Sequence, residues 1–157
     1  MTMFMFNLAL AIVWQVVTGT FSMGGLMIGF AVGYAVLWIA RPVFGNDPYF
    51  WKLWHIIGFF IYFLKELVVS SLKVAWDVVT PPIYAKPGVV RVPIDARTDL
   101  EITLLANLIT LTPGTLTLDV APDRKSLYVH AMFVDDPEHI RAEIRNGMER
   151  RLLEVMR

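Results

Sequence analysis

The first half of the chain contains three long apolar runs, whereas the second half alternates apolar and polar positions. The runs cover residues 4–17, 21–40 and 49–80. Since an α-helix rises about 1.5 Å per residue, the third run forms a rod of roughly 45 Å, and a hydrocarbon core requires only about 30 Å. We therefore predict a membrane α-helical N-terminal part, residues 1–80, with three hydrophobic helices.

The third run carries its polar side chains along one narrow side. At about 100° per residue, most of them fall within a stripe about 80° wide that only Phe59 interrupts, and Lys65 and Ser71 lie off it. We call five of them the polar seam: His55, Tyr62, Glu66, Ser70 and Lys73. Because an ion that faces lipid costs several kcal/mol, a narrow seam on an apolar helix predicts contact with protein, here another subunit.

Two alternatives remain for this helix. Only the stretch from Leu53 to Leu64 is free of formal charge, so the helix could instead lie in the membrane interface. Glu66 and Lys73 are ionisable groups within the apolar run, and such residues are candidates for a proton or cation relay. We favour docking on a neighbour, because one seam on one helix does not make a pathway.

The second run contains a doubled G-x-x-x-G pattern formed by Gly25, Gly29 and Gly33. Three residues without side chains on one helix face allow a second helix to approach closely. The pattern predicts a helix-packing interface, filled either by the first run or by another chain. After this run, Asp47 is a candidate N-cap for the third helix, with Pro48 at its first position.

Residues 81–88 are predicted to be a connector, and residues 89–157 a small soluble α+β domain in the order β-α-β-β-α. Strands are predicted at 89–94, 115–120 and 127–134, with a hairpin turn at 122–125. A capping box at Thr98 and Glu101 begins the first helix, and Asp136 caps the last one. That last helix has an apolar stripe: Ile140, Ile144, Met148, Leu152 and Val155. Two helices then cover one face of the sheet.

Composition removes several function classes. Of the 157 residues, 56% are hydrophobic, the formal net charge is zero, and there is no cysteine. Disulfides, thiolate metal sites and a cysteine nucleophile are therefore excluded, and nothing indicates nucleic acid. His55, His130 and His139 lie in three different elements, and Asp135 and Asp136 fit a helix N-terminus. We predict no catalytic, cofactor-binding or metal-binding residue, and no enzyme.

Two segments of the soluble part resemble a known family. Leu104 to Val120 reads LLANLITLTPGTLTLDV, and Leu127 to Glu138 reads LYVHAMFVDDPE. With the order of the parts before them, they resemble the E subunit of the multisubunit Mrp-type sodium/proton antiporters, also called Mnh or Pha. The resemblance covers essentially the whole chain, and the stretch from Ile109 to Thr115 is its most specific piece.

The resemblance implies an accessory subunit that assembles and stabilises a monovalent cation/proton antiporter in the plasma membrane. It implies other polytopic subunits as partners, beside the lipid bilayer, and no cofactor. The cation and the proton would be carried by the complex rather than clearly by this chain. The chain is expected to be a multi-pass membrane protein, and the positive-inside rule weakly favours a cytoplasmic C-terminal domain. The alternative is a free-standing membrane-anchored module that recruits a cytoplasmic partner through its α+β domain.

Overall fold

A computed structural model describes residues 2–44, 49–81 and 85–157. The candidate cap Asp47, with Pro48, and part of the predicted connector lie outside the described residues. The chain forms two compact units, residues 1–54 and residues 55–157, and the boundary falls inside the longest helix. We call them the N-terminal and the C-terminal unit.

The N-terminal unit is a hairpin of α1 (Thr2–Thr18) and α2 (Met23–Ile39), followed by the short helix α3 (Arg41–Phe44) and the start of α4 (Tyr49–Val79). Helix α2 begins two residues later than predicted, because the Ser22 hydroxyl accepts a 3.0 Å hydrogen bond from the amide of Gly25 and caps the helix. Most large apolar side chains of the hairpin are exposed. The hairpin therefore presents an apolar surface.

The C-terminal unit contains a three-stranded antiparallel sheet with the order β1-β3-β2. Its strands are β1 (Gly88–Pro93), β2 (Thr115–Val120) and β3 (Ser126–Ala131). Residues on one face of β1 and β3 are buried: Val90, Val92, Leu127 and Val129. This is the face that packs against the helices of the domain, as strand alternation requires.

Helix α5 (Asp99–Leu111) follows β1, and α6 (Pro137–Glu143) follows β3. The predicted capping box is confirmed: the Thr98 hydroxyl accepts from the Glu101 amide at 3.2 Å, and the Glu101 carboxylate accepts from the Thr98 amide at 3.1 Å. Asp136 caps α6 through the amide of Glu138 at 2.9 Å. Two predicted helix starts therefore lie where their capping residues place them.

The last helix is not continuous. A π-helical turn, π1 (Ile144–Glu149), separates α6 from α7 (Arg150–Met156). Its apolar residues are four apart, so in a regular α-helix each would rotate by about 40° away from the previous one. The wider π turn counteracts this drift, and Ile144, Met148 and Leu152 are all buried in the core beneath the sheet.

Among the residues that the structure describes, α4 is the helix whose length and composition suit a membrane span. It has 31 residues, against 17 each for α1 and α2. At about 1.5 Å per residue, α1 and α2 are each roughly 25 Å long. They are therefore shorter than an average hydrocarbon core of about 30 Å.

Candidate functional site

The glycine face of α2 packs against α1 of the same chain. A β-carbon at Gly29 would lie 2.9 Å from the Ala11 carbonyl oxygen and 2.9 Å from the Trp14 β-carbon. A β-carbon at Gly25 would lie 2.7 Å from the Thr20 carbonyl oxygen. No real β-carbon tolerates such distances, so only glycine at position 29 lets the two helices approach this closely, and only glycine at position 25 lets α2 contact the link at Thr20.

The third glycine of this face, Gly33, is also buried, and it lies against Asn7 of α1. The Asn7 side chain has no solvent exposure, and its amide nitrogen donates a 2.8 Å hydrogen bond to the Tyr49 hydroxyl at the start of α4. Its carbonyl oxygen has no hydrogen-bond partner in the described part of the chain. Asn7 is not among the residues predicted from the sequence, although it is the one polar residue between positions 4 and 14.

From Tyr62 to Lys73, the polar seam faces the α+β domain of its own chain. The Arg151 guanidinium of α7 lies 4.0 Å from the centre of the Tyr62 ring, and the Tyr62 hydroxyl fills the space left by the missing side chain of Gly147 in π1. Phe59, the apolar interruption of the seam, packs against the buried core of the domain. The sequence pattern predicts another subunit at this position, and nothing in it points to Gly147 or Arg151.

The next part of the seam borders a cavity of about 120 Å³. Glu66, Ser70 and Lys73 line it from α4, and Thr115 and Glu143 are among the residues that line it from the domain. The Ser70 hydroxyl donates to the Glu66 backbone carbonyl at 2.5 Å, so it does not bridge the Glu66 carboxylate to Lys73. His55 is exposed and does not border this cavity.

Two buried carboxylates of the domain have opposite electrostatic environments. Burial raises the pKa of Glu149, although its Oε1 accepts from the amides of Asp95 and Ala96 at 2.5 and 2.9 Å. Its Oε2 is buried without a hydrogen-bond partner among the described residues. The pKa of Glu101 is lowered to about 2, chiefly by its hydrogen bond with the Arg157 side chain at 3.1 Å. Burial therefore shifts the equilibrium of Glu149 towards its neutral form, whereas the Arg157 pairing shifts that of Glu101 towards its charged form.

None of these groups forms a recognisable metal centre. Within residues 2–44, 49–81 and 85–157, no three histidine or carboxylate side chains cluster closely enough to hold a metal ion. The candidate site is therefore a pair of packing surfaces: the glycine face of α2 and the polar seam of α4.

Nearly the whole chain matches one family. The family model described as "Na+/H+ ion antiporter subunit" matches residues 7–155. The E subunit of the Na(+)/H(+) antiporter of Alkalihalophilus pseudofirmus is 37% identical over 149 residues, which are 95% of this chain and 94% of the relative. The chain belongs to the E-subunit family of Na+/H+ antiporters. The corresponding protein of Bacillus subtilis is also 37% identical, over 96% of each chain.

Two solved structures contain chains similar to this member of the E-subunit family. One is the Mrp complex from Dietzia sp., with 36% identity and a TM-score of 0.51 over 65% of this chain and 96% of the other. The second is an archaeal respiratory complex, the membrane-bound sulfane sulfur reductase, with 26% identity and a TM-score of 0.56 over 96% of each chain. The family match includes both the glycine face and the polar seam.

Proposed function

We propose that this chain is an accessory subunit of a multisubunit monovalent cation/proton antiporter, which it assembles and stabilises in the cell membrane. The main observation in support of this proposal is that the antiporter-subunit family model matches residues 7–155, nearly the whole chain. The structures of similar chains are those of membrane complexes, which supports other polytopic subunits as partners. The transported cation and proton are handled by the complex.

The proposed arrangement has a membrane part, residues 1–80, with three hydrophobic helices. Residues 81–88 connect it to a cytoplasmic domain, residues 89–157, with the order β-α-β-β-α. The protein is then a multi-pass protein of the plasma membrane. The exposed apolar side chains of α1 and α2 support this arrangement, because a large exposed apolar surface requires lipid or protein around it.

The contacts of the polar seam favour a structural role over a relay. Tyr62 and Phe59 contact the domain of the same chain, and Ser70 satisfies its hydroxyl on its own helix. Glu66 and Lys73 border a cavity large enough for a few water molecules, and their charges can be hydrated there. The seam therefore holds the domain on α4, and we assign neither transport nor an enzymatic reaction to it.

The experiment that tests this function removes the chain from a host that depends on the antiporter and restores single variants. Exchange of sodium for protons is followed in everted membrane vesicles, with the amount of assembled complex measured in the same membranes. We expect removal to abolish both assembly and exchange, and Glu66→Gln to restore both. An assembled complex that contains Glu66→Gln and does not exchange would contradict the accessory role.

A second measurement distinguishes a component of a complex from a free-standing anchored module. The chain is purified from native membranes in mild detergent, and the proteins that accompany it are identified by mass spectrometry. Several polytopic chains in fixed ratio support membership of a complex. A monodisperse, folded chain without companions would support the module that recruits a cytoplasmic partner.

A further inference from the structure

The side of α4 opposite the polar seam is apolar and exposed. Six residues spaced three, four or seven apart form this side, which we call the outer stripe: Ile57, Ile61, Leu64, Val68, Leu72 and Val79. Their exposed fractions range from 39% to 71%. None of these side chains has a group that can form a hydrogen bond, so the stripe suits lipid chains.

The seam side of the same helix contacts the α+β domain at several points between Phe59 and Val74. The contacts begin at Phe59, which packs on the domain core, and continue through Tyr62 under Arg151. They extend to Val74, whose methyl group would lie 3.4 Å from a β-carbon at Gly114. From residue 59 to residue 74 the helix advances about 22 Å. The domain therefore lies alongside most of the C-terminal half of α4.

This contact limits how α4 can sit in a bilayer. The domain brings Arg151 and Glu143 to the same level of the helix as Tyr62 and Glu66. Charged side chains of a soluble domain do not enter the hydrocarbon core. Residues 49–58, which precede these contacts, provide only about 15 Å of helix, roughly half of a hydrocarbon core of about 30 Å.

Lys65 is the second, independent observation. It is exposed and lies on the flank of α4, between the outer stripe and the seam. In a helix that crosses the bilayer, its ammonium group would point into lipid near the middle of the helix, which is unfavourable on every insertion scale. In a helix that lies along the interface, its alkyl chain reaches the headgroups and its charge stays in water.

We infer that α4 from residue 59 onward lies along the membrane–water interface. The outer stripe is buried in the lipid, and the α+β domain sits on the aqueous side of the helix. The partner of this surface is the lipid bilayer. The inference rests on the proposed membrane attachment and adds that this half of the longest hydrophobic helix does not cross the membrane. The polar seam is then the surface of α4 against which the α+β domain packs.

The absence of cysteine makes a clean test possible. Single variants Ile61→Cys, Leu64→Cys, Val68→Cys and Leu72→Cys are introduced into the outer stripe, and each is spin-labelled in the assembled complex in liposomes. The collision rates of each label with oxygen and with a water-soluble nickel chelate give its depth. Ile28→Cys, Val32→Cys and Val36→Cys on α2 serve as a matched series, and Leu118→Cys on the exposed face of β2 reports the aqueous phase.

The inference predicts that the four labels of the outer stripe share one shallow depth, about 5–10 Å below the interface. A spanning helix would instead change depth by about 6 Å for every four residues. Such a graded series on α4 would overturn the inference. Labels that neither oxygen nor the chelate reaches would also overturn it, because another protein chain would then cover the stripe. If the α2 labels resemble Leu118→Cys, the proposed membrane part itself is wrong.

Discussion

The side-chain amide of Asn7 donates a hydrogen bond to the Tyr49 hydroxyl, 42 positions later in the chain, with a length of 2.8 Å. It connects α1 to the first residue of α4 inside the most apolar part of the molecule. Buried hydrogen bonds of this kind contribute about 0.5–1.5 kcal/mol, and those within membranes are at the lower end.

We expect Asn7→Ala and Tyr49→Phe each to lower the stability of the N-terminal unit. In a double-mutant cycle, the coupling energy should be about 0.5–1.5 kcal/mol, because each substitution removes the same bond. The free energy of unfolding of the purified chain in detergent provides the measurement. If the two single effects simply add, the bond contributes no stability.

The glycine face provides a matched pair of substitutions on one helix. A β-carbon at Gly29 would meet the Ala11 carbonyl oxygen at 2.9 Å, whereas one at Gly24 has its nearest neighbour at 3.9 Å. We expect Gly29→Ala to cost about 1–3 kcal/mol through overpacking. Gly24→Ala should be neutral or should stabilise by up to about 1 kcal/mol, since alanine favours the helix.

Thermal unfolding of both glycine variants in the same detergent, together with the amount of complex recovered from membranes, checks this prediction. Equal behaviour of the two variants would mean that the α1–α2 contact does not depend on the glycine face.

The contact between Tyr62 and Gly147 predicts that a substitution at one position compensates for a substitution at the other. A side chain at position 147 would overlap the Tyr62 hydroxyl, so we expect Gly147→Ala to loosen α4 from the domain. Adding Tyr62→Phe removes the hydroxyl and should recover most of the loss, estimated at about 1–3 kcal/mol. Hydrogen exchange of the π1 amides in the full-length chain reports the loosening. If Tyr62→Phe did not restore the contact, the effect of Gly147→Ala would arise within the π turn rather than from overlap with the Tyr62 hydroxyl.

Glu149 and Glu101 should respond to pH in opposite directions. Because burial raises the pKa of Glu149 in the folded chain, stability is lost as pH rises from about 4.5 through the folded value. Of the charged neighbours of this carboxyl, Asp95 raises the pKa of Glu149 and Arg145 lowers it. Because the Glu149→Gln side chain cannot ionise, the stability of this variant relative to the parent should increase as pH rises above about 4.5.

Hydrogen exchange of the β3 amides at several pH values, corrected for intrinsic rates, measures this effect. Glu101→Gln is the internal comparison: with a folded pKa of about 2, Glu101 adds stability above its ordinary pKa of about 4.5, and this stability disappears as pH falls to 2. If the stability of the two variants changed with pH in the same way, the raised pKa of Glu149 and the lowered pKa of Glu101 would both be contradicted.

Local patterns in the sequence predicted most of the helices and strands, but neither α3 nor the π turn, and they pointed to the two candidate packing surfaces. Runs of apolar residues predict α1, α2 and α4, and strict alternation predicts β2. The Thr98 capping box and the Asp136 cap depend on residues within three positions of each other, and both are formed. The spacing of the glycines identifies a packing face for the same reason: all of this information lies within one helix.

The tertiary structure alone decided which surfaces meet. Nothing within α4 distinguishes a seam that faces a different chain from one that faces residues 114–151 of the same chain, because both need the same polar side chains. The Asn7–Tyr49 bond and the Tyr62–Arg151 contact join residues 42 and 89 positions apart, and no periodicity extends that far. The buried state of Glu149 likewise depends on distant residues, because its carboxylate accepts from the amides of Asp95 and Ala96, more than fifty positions earlier in the chain.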